Sequence, residues 1–197
     1  MSHIKRPAWF PLRLASAALV ILAIAFFLRL RPASRSATSE QYAVYSAYFN
    51  SEINKSNGKY GRTNSFILLI QQNSSTAHAD PSRRQFVEAQ APMLEDETVA
   101  SFLAQNVVSQ KLERHFDLSE PYELMPEDEL TRADSIDAPP AHPEYFRLSR
   151  VGFNKDLSQA LFYTEHLCPL CERGGYVVME RRWGRWRVKT FLGTWMS

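Results

Sequence analysis

The chain has 197 residues, 45% of them hydrophobic and 22% charged, which suits one globular domain with an appendage and excludes a disordered chain, a collagen-like repeat and a coiled coil. Its two cysteines are too few for a disulfide-stapled miniprotein or a four-cysteine zinc site. Residues 1–37 hold six basic and no acidic residues, so the remaining 17 basic and 21 acidic residues give the body a net charge of −4, which argues against nucleic-acid binding.

The first element is an apolar segment, Leu14–Leu28 (LASAALVILAIAFFL), which contains no charged residue. Its 15 residues are fewer than the roughly 20 that span a bilayer, but the residues from Phe10 to Leu30 extend it to spanning length. We interpret it as a retained signal-anchor helix in the lipid bilayer; a cleaved signal peptide and a buried core helix are the alternatives. Arg29 and Arg31 stand where the cleavage region of a signal peptide should be small and neutral, which favours the anchor.

The orientation of this anchor is predicted from its flanks. Three basic residues on either side leave the positive-inside count nearly tied, whereas the N-terminal amine and the short leader favour a cytoplasmic N-terminus. We therefore predict residues 1–31 as tail and transmembrane signal-anchor, residues 32–38 as a tether, and residues 39–197 as an extracytoplasmic domain.

The domain begins with predicted helices. Ser39 is a candidate N-cap, and an aromatic stripe at helical spacing follows it; its members are Tyr42, Tyr45, Tyr48, Phe49 and Ile53. We expect this stripe to be a core face. A strand is predicted over Ser65–Gln71, and helices are predicted over Ser82–Gln90 and Asp96–Leu112.

The stretch from Glu113 to Asp137 has nine acidic and two basic residues and is interrupted by prolines, so we predict an irregular, exposed loop or flap. Four strands are predicted after it, over Leu148–Asn154, Gln159–Leu167, Gly175–Trp183 and Trp186–Met196. In the last of them, Trp186, Val188, Thr190 and Leu192 alternate with Arg185, Arg187, Lys189 and Phe191. Short connections favour an antiparallel meander, so the fold class is α+β, with helices packed on a C-terminal meander of about four strands.

A C-terminal pattern carries a resemblance. Ser149, Val151, Gly152, Phe153, Asn154 and Asp156 form SxVGFNxD, followed by CxxCxxG from Cys168 to Gly174 and by WxV from Trp186 to Val188. This pattern resembles one found in exported or membrane-anchored bacterial proteins without an assigned activity, which implies a bacterial origin but no reaction. The asparagine-glycine turn common in that pattern is Trp183-Gly184 here. The strand order is also similar to small cone-shaped domains of the nuclear-transport-factor-2-like type, which enclose a pocket.

Cys168 and Cys171 form the sharpest local motif, CPLC. We predict a structural disulfide between them, because such bonds persist outside the cytoplasm. Catalytic thiol chemistry, a metal site with His166 and a distant ligand such as His142, and free buried thiols are the alternatives. Thiol catalysis needs a helix directly after the first cysteine, whereas Glu172-Arg173-Gly174-Gly175 follows here.

Residues 173–189 hold six basic residues and one acidic residue. Basic side chains alternate with tryptophan in this stretch, and the candidate anion-binding or acidic-partner face is Arg181, Arg182, Arg185, Arg187 and Lys189. We favour pairing with the acidic stretch at 113–137; a solvated strand face and an external anionic partner, such as lipid headgroups, are the alternatives.

No serine-hydrolase elbow, phosphate-binding loop or dinucleotide fingerprint occurs, so no catalytic residue, cofactor or metal is predicted. We predict a single-pass protein of the bacterial inner membrane whose extracytoplasmic domain binds a partner in the cell envelope without catalysis. An extracytoplasmic enzyme, either thiol-redox through the CPLC motif or a pocket hydrolase, is the alternative, and a structural subunit of a membrane complex is a third.

Overall fold

A computed structural model describes residues 37–60, 67–133, 144–168 and 172–197, and these ranges fold as α+β. The elements are α1 Ala37–Tyr60, β1 Leu68–Gln71, α2 Arg83–Gln90, α3 Asp96–Gln105, β2 Tyr122–Met125, α4 Glu127–Ala133, β3 Tyr145–Leu148, β4 Gly152–Phe153, β5 Gln159–Leu167, β6 Arg173–Arg182 and β7 Arg185–Met196. The segment Leu14–Leu28 lies outside the described residues. No helix within the described ranges combines the length and the apolarity that a membrane span needs.

The sheet has seven strands in the order β2-β1-β3-β5-β6-β7, with β4 pairing with β5. The predicted C-terminal meander is confirmed as antiparallel, with β3 and β4 pairing with β5, β5 with β6, and β6 with β7. The sheet as a whole is mixed, because β1 runs parallel to both of its neighbours, β2 and β3. The prediction missed β2 and the parallel side of the sheet. Parallel neighbours need long crossover connections, and the segments before β2 and β3 are long enough to supply them.

The first core lies between α1 and one face of the sheet. The predicted aromatic stripe of α1 is confirmed as its buried face. Tyr45 and Tyr48 meet Phe162 of β5 edge-to-face with ring centroids 5.4 Å apart, and Phe49 meets Phe146 of β3 in the same way at 5.1 Å. Aromatic pairs in this geometry stabilise a core beyond the area that they bury.

The second core lies on the opposite face, because successive side chains of a strand point to opposite faces. Leu161 and Tyr163 of β5 and Tyr176 and Val178 of β6 are buried there. Helices α2 and α3 cover them chiefly through Val87, Val99 and Phe102. Residues Thr38–Ser197 thus form one compact unit whose sheet is covered by helices on both faces.

Helix α3 ends at Gln105, seven residues before the predicted end at Leu112. The side-chain amide of Asn106 donates to the carbonyl oxygens of Phe102 at 2.8 Å and Arg150 at 3.0 Å, and its Oδ1 accepts from the Arg150 amide at 2.7 Å. These bonds replace the next helical turn. As a result Val107, which the helical pattern placed on the buried face, is 77% exposed.

The acidic stretch is irregular from Glu113 to Pro121, and most of its described residues are exposed, as predicted. It also contributes β2 and α4, and it buries Phe116 and Leu130, which the prediction missed. Net charge does not mark the few apolar positions that anchor the stretch to the domain.

The predicted alternation of β7 is correct only as far as Val188. Val178 pairs with Thr190 whereas Met179 pairs with Val188, so Lys189 forms a β-bulge. An extra residue in one strand reverses which face the following side chains occupy. Trp186 and Val188 therefore pack on the first core, whereas Leu192 packs on the second.

The single strand predicted over Leu148–Asn154 is divided into β3 and β4. Ser149 lies at the break, where its hydroxyl accepts the amide of Tyr163 at 2.7 Å and its own amide donates to the Tyr163 carbonyl at 2.9 Å. At this break the amide of Tyr163 in β5 therefore bonds to the side chain of Ser149, where a regular strand would offer a backbone carbonyl.

Candidate functional site

The β6–β7 hairpin carries the predicted basic face. Arg182 and Arg185 form its last pair, and Trp183 and Gly184 form a two-residue turn with φ values of 49° and 77°. Two consecutive positive φ angles are the signature of a type I′ turn, whose twist matches the flanking strands. The predicted hairpin at Trp183-Gly184 is thus confirmed.

Trp183 occupies the least suitable position for a bulky residue. The left-handed conformation costs a non-glycine residue about 1–2 kcal/mol, and asparagine or glycine is the usual occupant of this turn position. The indole is also 88% exposed, so it gains little from burial. The guanidinium carbon of Arg187 lies 5.8 Å from the centroid of the Trp183 ring, in a cation–π contact. A large apolar ring in a strained and exposed position contributes little to the stability of the fold. Residues that break the local rules of folding in this way are typical of functional sites.

The basic residues of the hairpin face different sides. Arg181 points towards α1, where its Nη1 lies 3.5 Å from Oε1 of Glu40. Arg182 and Lys189 lie 2.8 Å and 3.4 Å from the carboxylate of Glu180 on the same hairpin. Arg185 and Arg187 are exposed.

These partners differ from the acidic stretch that the sequence favoured. The stretch supplies β2, which is one edge of the sheet, whereas β7 is the opposite edge. From Glu180 to Lys189 the hairpin keeps a net charge of +4. It therefore presents a positive edge at the far side of the sheet from β2.

Glu40 fixes the start of α1 to this hairpin. Its carboxylate is fully buried and accepts a hydrogen bond of 2.8 Å from Nε1 of Trp186, in addition to its contact with Arg181. The guanidinium of Arg181 in turn lies 5.8 Å from the centroid of the Trp186 ring. A buried carboxylate needs such charge-assisted partners to offset the loss of water.

A second cluster of polar side chains joins β1, β3 and β5 on the face that carries the second core. Arg147 of β3 donates to Oε1 of Gln71 at 2.7 Å and to the hydroxyl of Tyr145 at 3.2 Å, and it lies 3.7 Å from Oε2 of Glu165. Gln71 and Glu165 are buried, whereas the side chain of Arg147 is one-third exposed. This network neutralises its own charge and ties three strands together, so we assign it a structural role.

The neighbouring hydroxyl of Tyr163 completes a chain of hydrogen bonds. Thr194 donates to the carbonyl of Gly174 at 3.0 Å, which leaves its oxygen to accept from Tyr163 at 2.8 Å; Trp195 donates to Tyr163 at 3.0 Å. A Cβ on Gly174 would overlap this tyrosine and tryptophan, so glycine is required there. Burial raises the pKa of Tyr163, so the hydroxyl keeps its proton at neutral pH.

His78 stacks on the Tyr163 ring with centroids 4.4 Å apart, and its φ is 59°. Burial lowers the pKa of His78 from its ordinary value of 6.5, and Arg83 lowers it further, while Glu165 and Asp80 oppose these effects. The unfolded chain therefore binds more protons than the folded chain just below pH 6.5, and the contribution of His78 to stability is complete above that pH and is lost as the pH falls.

We predict that the wild-type domain loses more free energy of unfolding between pH 7.5 and pH 5.5 than the His78→Asn variant, because asparagine does not titrate and tolerates a positive φ. Urea unfolding at both pH values measures the difference. Equal losses in the two proteins would contradict this account of His78.

The cysteines lie at the end of β5. Cys168 directly follows this strand and is buried, whereas Cys171 lies outside the described residues, so the disulfide stays a prediction. Nε2 of His166 contacts Oε1 of Glu144 at 2.7 Å, and its ring stacks on Phe146. Within the described ranges no three His, Cys, Asp or Glu side chains lie together as a metal ion would require; His142 is outside them.

The exposed basic side chains of the hairpin can bind negatively charged groups. Sequence reasoning found the basic residues but missed the role of Glu40, because a first-turn glutamate is normally a solvated helix-dipole partner. It also missed the Arg147 network, whose members are far apart in the chain. Comparisons with protein-family models, with curated proteins and with solved structures find no match to this chain.

Proposed function

We propose that this chain is a single-pass protein of the bacterial inner membrane whose extracytoplasmic domain is a non-catalytic binding module of the cell envelope. The observation that carries the proposal is the uncharged segment Leu14–Leu28, joined by a short tether to a compact domain that begins at Thr38. The bacterial assignment depends on the resemblance of the SxVGFNxD and CxxCxxG patterns.

The packing between α1 and the sheet supports binding at a surface. Aromatic rings in mutual contact occupy this layer, and Tyr45, Phe49 and Phe162 in it are almost completely buried. A domain of the nuclear-transport-factor-2-like type, which our strand prediction suggested, would instead use this space for a ligand. We therefore place the binding function on the outside of the domain, and a pocket hydrolase becomes the less favoured alternative.

Fractionation of the full chain tests the anchor. We expect the protein to remain in membranes washed with alkaline carbonate, and a periplasmic alkaline phosphatase fused after Ser197 to be active. A matched chain in which Leu19 and Leu22 are replaced by arginine should leave the membrane, because charges at the centre of a span are costly. Recovery of the unaltered chain in the cytosol would refute the proposal.

The cysteines distinguish this proposal from the thiol-redox alternative. We expect alkylation and mass spectrometry of the exported chain to find Cys168 and Cys171 joined, closing a ring so small that the bond adds about 1–2 kcal/mol. Cys168→Ser with Cys171→Ser should lower the melting temperature and leave the binding function intact. Free, alkylatable thiols with disulfide-exchange activity would favour the enzyme.

The third interpretation, a structural subunit of a membrane complex, predicts stoichiometric copurification with other membrane proteins in mild detergent. A binding module with a transient partner predicts substoichiometric recovery. The same preparation therefore separates the two.

A further inference from the structure

The tip of the β6–β7 hairpin projects beyond the strand beside it. The pairing of β5 with β6 ends at Gln159 and Glu180, and one further bond joins the amide of Arg181 to the carbonyl of Ser158. The pairing of β6 with β7 continues to Arg182 and Arg185. The turn thus lies beyond the last pair of β5 and β6, and Trp183 stands at its vertex.

The chain enters the domain at this same end. Helix α1 runs along β6 so that Glu40, in its first turn, contacts Arg181, whereas Glu52, three turns later, contacts Arg173 at 3.0 Å. Eight residues lie between Leu28 and Ala37, and an extended chain joining these two residues reaches at most roughly 30 Å. A span that ended at Leu28 would therefore keep the start of α1, which contacts the hairpin, within that distance of the bilayer.

We propose that the hairpin tip docks on the anionic lipid headgroups of the membrane that holds the anchor. Trp183 lies in the interfacial layer, and Arg182, Arg185 and Arg187 bind lipid phosphates. Indole rings favour the membrane interface, guanidinium groups bind phosphate in a bidentate manner, and basic residues near an anionic leaflet are attracted to it. This proposal rests on the membrane anchor proposed above.

The backbone of Trp183 is the independent support. Basic residues on an edge strand are also explained by protection against aggregation, which they provide by repelling other edges. That explanation accounts for Arg185 and Arg187 but not for an exposed tryptophan in a turn position that favours asparagine. A lipid interface accounts for both.

Acidic residues near the hairpin limit the contact to its edge. Glu97 accepts the amide of Lys155 in the turn between β4 and β5, and Glu95 and Asp156 lie beside the same turn. These residues surround the start of β5, two strands inside the edge. The domain therefore meets the membrane with the tip and outer edge of the hairpin, and the acidic turn stays away from the lipid.

Quenching of Trp183 by brominated lipids tests the docking. The full chain with Trp9→Phe is placed in nanodiscs of brominated phosphatidylcholine, with or without brominated phosphatidylglycerol, and emission lost by Trp183→Phe is assigned to Trp183. We expect quenching in the anionic discs and its loss in 1 M salt, where the Debye length falls to about 3 Å. Equal quenching in both lipids, or none in either, overturns the proposal.

Charge-reversal variants measure the contribution of the arginines. Arg182→Glu with Arg185→Glu and Arg187→Glu should reduce the ratio of docked to undocked hairpin at least a hundredfold, since each basic residue contributes about fivefold. The control reverses the same number of exposed charges elsewhere, with Lys111→Glu, Arg114→Glu and Lys155→Glu, and should dock normally. If the control also lost docking, the effect would depend on the net charge of the domain, and the assignment of the hairpin as the docking surface would be wrong.

Two further outcomes separate the possible failures. A chain that alkaline carbonate extracts from membranes refutes the anchor, whereas an integral chain with no lipid quenching refutes the docking alone. A third outcome would be that acrylamide in the aqueous phase cannot reach Trp183 in native membranes, although brominated lipid in nanodiscs does not quench it. That result would overturn lipid docking and assign the hairpin to an acidic protein partner.

The melting temperature of Trp183→Asn should be at least that of the wild type, because asparagine suits this turn position better than tryptophan. A lower melting temperature would mean that Trp183 stabilises the fold, and it would overturn the argument from the backbone of Trp183.

Discussion

Glu40→Ala is expected to lower the free energy of unfolding of the domain by about 2–3 kcal/mol. The substitution leaves the buried Nε1–H of Trp186 without its acceptor and the half-buried guanidinium of Arg181 without its nearest carboxylate. It also removes side-chain volume from beneath the first turn of α1. Urea unfolding of residues 38–197, followed by circular dichroism, measures the loss.

Two variants control this experiment. Glu40→Gln keeps an oxygen acceptor for Trp186 and loses only the charge, so we expect about half the effect. Glu52→Ala breaks a second ion pair between α1 and β6, with Arg173, but that pair is partly exposed and should contribute less than about 1 kcal/mol. Similar losses for Glu40→Ala and Glu52→Ala would mean that burial of the Glu40 carboxylate has no special energetic role.

Gly152→Ala is expected to lower the free energy of unfolding by about 3 kcal/mol, because overpacking against backbone has no cheap relief. A Cβ at this position would overlap the backbone nitrogen and Cα of Phe102, so α3 would have to move away from β4. That movement would also strain the hydrogen bond of 3.1 Å from the amide of Phe153 to the hydroxyl of Ser101. Urea unfolding and near-ultraviolet circular dichroism detect the loss and the displaced helix.

Gly193→Ala is the matched control, since both glycines lie in β-strands. A Cβ on Gly193 would meet its nearest neighbour, Phe191, at 3.7 Å, which is ordinary van der Waals contact. We expect its free energy of unfolding to stay within about 0.5 kcal/mol of the wild type. If Gly152→Ala behaved in the same way, the close approach of α3 to β4 would not be a constraint on the fold.

Periodicity predicted the parts of this fold that local sequence determines. The aromatic stripe of α1 follows from its helical spacing, and β5, β6 and β7 follow from their apolar residues and short connections. The end of α3 could not be predicted in this way, because the Asn106 side chain bonds to Arg150, 44 residues away. The reversal of β7 depends on a single bulged residue, Lys189, which composition does not mark.

The candidate site was also predictable from the sequence only in part. The arginines of the hairpin and its turn were visible in the sequence, as a basic run around Trp183-Gly184. Their pairing was not, because opposite net charges suggested the acidic stretch, whereas the actual partners are Glu40 and Glu180. Net charge describes how a segment attracts partners at long range, but the topology of the sheet decides which side chains meet.

The bond between Glu40 and Trp186 joins residues 146 positions apart. Strand β1 also pairs with two strands, β2 and β3, that come much later in the chain. Long sequence separations slow folding, since a large loop must close before either end is stabilised. The first helix of the domain is thus completed by β7, and a nascent chain halted before β7 emerges would hold the Glu40 carboxylate without the indole N–H of Trp186. The domain can therefore assemble only after β7 has been synthesised.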